Sequence, residues 1–155
     1  RTISISDAKR MTLKPELLKT SKVMERVFLS GSIFNNFSVE SLDCFAGMPA
    51  LKQLYLGNIR LLDKRMDALN TLPSLERFDF DDGMLTTEEI AWIVAKYPNL
   101  SGNALCAYNK VDAILNDVRV CGFRKPGLDL PKDQKRLDKY VAQFNALVEK
   151  YRNEP

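Results

Sequence analysis

Histidine is absent from the 155 residues. That removes serine–histidine and cysteine–histidine catalytic pairs, and with them the commonest metal ligand. Cysteine is scarce: Cys44, Cys106 and Cys121 are widely spaced, with no CxxC or zinc-type pattern. An odd, scattered set reads as small apolar side chains in a reducing, cytoplasmic compartment. No apolar run reaches the roughly 18 residues of a membrane span, and no signal-peptide pattern follows Arg1. A glycine-rich phosphate loop is missing too. Charge of one sign is not in excess, since 23 Lys and Arg face 20 Asp and Glu for a net +3. The densest basic run, PKDQKRLDK over 131–139, is broken by Asp133 and Asp138. It fits a solvated helix face better than a nucleic-acid footprint. The expectation is a protein that is not an enzyme, with no cofactor, metal, nucleic acid or membrane among its ligands.

What the chain has instead is a spacing. In MPALKQLYLGNIRL, 48–61, leucines stand at 51, 54, 56 and 61. Leu54 and Leu56 alternate like one face of a strand. In LPSLERFDFDDGML, 72–85, the same slots hold Leu75, Phe78, Phe80 and Leu85, an offset of 75 minus 51, or 24. Pro49 and Pro73 precede the two copies in register, and Pro98 precedes a poorer copy at 100–110, where Asn103 takes an apolar slot. Upstream, Met24, Val27, Leu29 and Phe34 fill the slots, and Ile3 and Ile5 fit the strand positions once more.

The intervening segments align as well. Leu18, Phe45, Leu69 and Val94 lie six residues before each first slot, and Ser21, Met48, Leu72 and Tyr97 lie three before it. Each segment reads as a short helix. The clearest is 86–98, with capping-box spacing at Thr86 and Glu89 and an apolar stripe of Ile90, Ile93, Val94 and Tyr97. Pro15 fits a first helical turn. Parallel strands joined by such crossovers share a core that no single unit could bury, and hairpin turn signals are missing.

The pattern resembles the leucine-rich repeat family over residues 1–110. The resemblance implies an α/β solenoid of about 4–5 repeats, with strands on the concave side and helices on the convex side. The family's asparagine or cysteine slot holds Ser32, Ile59 and Gly83 here, so the turns are expected to be less regular.

Beyond Tyr108 the period fails. ILNDVRVCGF, 114–123, predicts a last strand with Leu115, Val118 and Val120 inward, and 124–131 predicts a loop. Residues 130–152 predict an amphipathic helix buried through Leu137, Tyr140, Val141, Phe144, Leu147, Val148 and Tyr151. Residues 111–155 are expected to form a C-terminal cap over the array. The other end has no such element, so either more chain precedes Arg1 or a neighbour covers it.

Residues between the inward strand positions project from the strand face. They are Arg26, Phe28 and Ser30, then Gln53, Tyr55 and Gly57, then Arg77, Asp79 and Asp81, with Thr2, Ser4 and Ser6 starting the row and Arg119 extending it. Phe28, Tyr55 and Asp79 should stand side by side. Arg26, Phe28, Gln53, Tyr55, Arg77, Asp79, Asp81 and Arg119 are the predicted partner-binding residues, and the resemblance implies a protein partner. Exposed aromatics also suit strands for their own sake. Asp79, Asp81 and Asp82 read as solvated acids paired with Arg77 or Lys52 rather than as a metal site. A second reading makes the chain a segment that packs on its own neighbouring domain, and a third places a nucleophile at Cys106 or Cys121.

Overall fold

The computed structural model describes residues 1–8, 12–14, 21–32, 37–113 and 115–154, and it forms two compact units. The first comprises Arg1–Asp81 with Leu100–Gly102, and the second comprises Asp82–Asn99 with Asn103–Pro155. The fold is mixed α/β, with parallel sheets and a C-terminal helix.

In the first unit, β1 (Thr2–Ala8), β3 (Arg26–Gly31), β5 (Gln53–Gly57) and β7 (Arg77–Phe80) form a four-stranded parallel sheet in chain order. Ile3 pairs with Val27, Val27 with Leu54, and Leu54 with Phe78. The register follows the sequence spacing. Val27, Leu29, Leu54, Leu56, Phe78 and Phe80 are wholly buried on one side. Each contributes about 1.5–3 kcal/mol of apolar burial, which holds the register because a one-residue slip would turn all of them to water. Leu51, Met48 and Phe45, apolar in their slots, are wholly buried, while Leu75 is only half-buried.

The connections match expectation only in part. The segments before β5 and β7 are short helices as expected, Leu42–Phe45 and Met66–Thr71, but of the tighter 3-10 kind. The one predicted before β3, with Pro15 and Leu18, lies outside the described residues, as does Phe34. A second parallel sheet, unforeseen, is built from β2 (Thr12–Leu13), β4 (Phe37–Val39) and β6 (Ile59–Leu61). It adds Leu13, Phe37, Val39 and Leu61 to the core. Ile59, which cannot act as a turn-capping asparagine, pairs with Phe37 in this ladder. The copy at 100–110 shrinks to a single bridge: Ser101 pairs with Arg77, and its N–H donates to the Glu76 carbonyl at 3.0 Å.

In the second unit, α1 (Thr87–Lys96) starts where the sequence places it. The Thr86 hydroxyl accepts from the Glu89 N–H at 3.2 Å, and the Glu89 carboxylate accepts from the Thr86 N–H at 2.7 Å. Such a cap contributes about 1 kcal/mol. Helix α2 (Gln134–Asn153) packs on α1. Its Leu137, Phe144 and Val148 are buried and its Tyr140, Val141, Leu147 and Tyr151 half-buried, in keeping with the predicted stripe. The predicted last strand is instead the middle of an antiparallel sheet of β8 (Tyr108–Ala113), β9 (Asn116–Val120) and β10 (Gly127–Leu128). A tight hairpin therefore exists despite the missing turn signals. Val118 and Val120 point into a core with Leu128 and Leu137, but Leu115 sits at the turn and is 82% exposed.

Candidate functional site

The sheet's buried side fixes its open side, because alternate residues on a strand face opposite ways. Arg26, Gln53 and Arg77 stand opposite one another across β3, β5 and β7, and Phe28, Tyr55 and Asp79 form the adjoining row. Six of the eight sequence-predicted residues thus share one face. Phe28 and Tyr55 are partly exposed on the two central strands, with ring centroids 6.2 Å apart and planes tilted by 40°. This tilted contact stabilises the pair.

Tyr55 leans along its strand over Gly57. A Cβ at Gly57 would lie 2.4 Å from the Tyr55 hydroxyl, so glycine makes the space the phenol occupies. Burial pushes the Tyr55 phenol above its usual range, and the nearby Asp81 and Asp79 charges push the same way. The phenol stays protonated at neutral pH and can donate a hydrogen bond.

Asp79 pairs with Arg77, as expected from sequence, but it is 6% exposed and therefore buried rather than solvated. The Arg77 Nε donates to its Oδ2 at 2.5 Å, and that contact raises the guanidinium pKa further. Asp81 lies just past β7 and accepts a hydrogen bond from the Asn58 N–H. Its role is to hold the backbone between β5 and β6, where Asn58 adopts a left-handed φ of 48°. Hydrophobic spacing gives no reason to select Asn58; the available signal is asparagine after glycine, a residue that tolerates this conformation.

Arg119 does not extend the row. It stands on β9, in the antiparallel sheet of the second unit, where its Nη1 lies 4.0 Å from the Asp82 carboxylate. Strand β9 carries the right alternation but belongs to a hairpin, and alternation alone does not say which sheet a strand joins.

Among the described residues, no group of three or more His, Cys, Asp or Glu could hold a metal ion. No helix among them is long and apolar enough to cross a membrane. No family model, curated protein or solved structure matches the chain.

Proposed function

We propose that the chain is a non-enzymatic protein-recognition module of leucine-rich-repeat type, which binds a protein partner through the open face of the four-stranded sheet. The observation that carries this reading is the Phe28–Tyr55 pair, partly exposed at the centre of the sheet and flanked by Arg26, Gln53 and Arg77. Tyrosine and arginine around an aromatic centre make up the usual energetic core of an interface, where a few anchors carry most of the affinity. The successive in-register strands support the repeat reading, and the second parallel sheet marks how this chain would differ from a regular family member.

The test pairs binding with stability. Phe28→Ala combined with Tyr55→Ala should abolish capture of a partner from native lysate. Its urea midpoint should stay close to wild type, because the lost ring contact contributes only about 0.5–1.5 kcal/mol. If the double variant unfolds, or still captures the same partner, the face is not the recognition surface.

A second reading is favoured by one observation. Ile3 and Ile5 on the edge strand β1 remain half-buried, whereas their neighbours Val27 and Leu29 are wholly buried. An open parallel edge with partly wet isoleucines invites another strand or domain. Under this reading, the isolated 155-residue chain self-associates through β1, and light scattering should report a dimer or larger species that Ile3→Lys returns to monomer. A monomeric wild type removes the second reading.

A further inference from the structure

Two of the three cysteines, 15 residues apart in sequence (121 minus 106), meet in the second unit. Their sulfurs are 3.7 Å apart, in van der Waals contact. The hairpin brings them there. Tyr108 pairs with Val120, and the Cys121 N–H donates to the Ala107 carbonyl at 3.0 Å, so the thiols flank the open end of the β8–β9 ladder.

Their surroundings are not those of two apolar side chains tucked into a core. Asn109 Nδ2 donates to the Asn103 carbonyl at 2.7 Å and to Cys121 Sγ at 3.5 Å, while its Oδ1 accepts from Cys106 Sγ at 3.2 Å. Cys106 also reaches the Tyr108 carbonyl at 3.3 Å. Cys106 is partly exposed and Cys121 is 1% exposed. One thiol of the pair is therefore open to a reagent, and the other is open only to its neighbour.

We propose that Cys106 and Cys121 form a reversible thiol–disulfide modification site for small-molecule disulfides of the glutathione class, with Cys106 as the attacking thiol and Cys121 as the resolving one. In the first step the Cys106 thiolate attacks one sulfur of the reagent. A mixed disulfide forms, the reagent's S–S bond breaks, and one thiolate leaves and takes a proton from water. In the second step Cys121 loses its proton and its sulfur attacks Cys106 Sγ. The Cys106–Cys121 bond forms, the mixed disulfide breaks, and the second small thiolate departs with the proton. Two protein thiols are oxidised and one small disulfide is reduced to two thiols.

The order of attack follows from electrostatics as well as access. A hydrogen bond from the Cys121 thiol favours the Cys106 thiolate and lowers its pKa, despite burial and the Asp82 charge. The same contact, with burial, raises Cys121. Only a thiolate attacks, and only Cys106 lies within reach of a reagent, so Cys106 reacts first. Cys44 serves as an internal control. It is wholly buried, its thiol faces the Leu13 carbonyl at 3.4 Å, and burial raises its pKa.

The experiment uses the reduced chain titrated with oxidised glutathione and followed by mass spectrometry with peptide mapping. Wild type and Cys44→Ser should lose the mass of two hydrogens and yield one linked peptide pair containing residues 106 and 121, reversed by dithiothreitol. Cys121→Ser should stop at a single glutathionyl adduct on residue 106. Under iodoacetamide, Cys106 should be alkylated at least about ten times faster than Cys44. A stable adduct on wild-type Cys106 without the internal link overturns the proposal, as do linkage to Cys44 or equal alkylation of all three thiols. If Cys121→Ser does not fold, the wild-type peptide map decides alone.

Discussion

Alanine in place of Phe78 should lower the unfolding free energy by about 3–5 kcal/mol, the range for a large aromatic removed from a packed interior. Phe78 is wholly buried on β7, pairs in register with Leu54, and stacks its ring 4.9 Å from that of Phe80 at 44°. Truncation removes both the transfer free energy of the ring and its contacts with a neighbour that cannot collapse into the gap, because Phe80 is held two residues along the same strand. Against a total of about 5–15 kcal/mol for an ordinary domain, the loss is large enough to see as a clear fall in the urea midpoint. Far-UV circular dichroism is the suitable probe, since the single tryptophan, Trp92, belongs to the other unit. The comparison with Phe28→Ala plus Tyr55→Ala is the informative one. Three aromatics on adjacent strands of the same sheet should fall into two classes, one supporting the fold and the others supporting only recognition. A cost below about 1 kcal/mol at Phe78 would mean that the shared core does not run beneath these strands.

The reach of the sequence can be judged from those same strands. Val27, Leu54 and Phe78 were readable because each lies in a strand long enough to alternate at least once, and because the spacing repeats. Helix α1 was readable from Thr86 and Glu89, whose reciprocal hydrogen bonds need one fixed spacing. The second parallel sheet was not. Its strands are two or three residues long, too short to display a period, and Leu61 and Phe37 give no sign that a ladder rather than a loop surrounds them. The connecting segments carry apolar residues at helical spacing, and Leu42–Phe45 and Met66–Thr71 are helical, though of the tighter 3-10 kind. Runs so short do not repay the cost of nucleating an α-helix. At the site, the six clustered residues followed from strand alternation, whereas Arg119 needed knowledge of which sheet β9 joins. The Cys106–Cys121 contact depends on hairpin register, for which a spacing of 15 residues supplies no rule.

Gly31 offers a further test of the same architecture, one that no reading of hydrophobic spacing would select. It closes β3, shows no unusual φ, and looks like any small residue at a strand end. A Cβ built there would stand 2.3 Å from the Asn58 carbonyl oxygen and 3.0 Å from Phe37 Cβ. The first of these is backbone. Asn58 sits between Gly57, paired with Ser30, and Ile59, paired with Phe37, and its N–H is held by Asp81. With ladders on both sides and φ at 48°, Asn58 has no low-energy way to retreat. Overpacking usually costs about 1–3 kcal/mol when side chains can shift, so Gly31→Ala should reach or exceed the top of that range. Gly83→Ala is the matched control, since nothing lies within 4 Å of a Cβ there. It should be neutral or slightly stabilising through the lost freedom of the unfolded chain. Chemical denaturation of the two variants side by side therefore reads out one distance, that between the end of β3 and the backbone joining β5 to β6. Equal midpoints would show that the two parallel sheets do not approach each other there, and the packing that presents Phe28 and Tyr55 on the opposite face would have to be rebuilt.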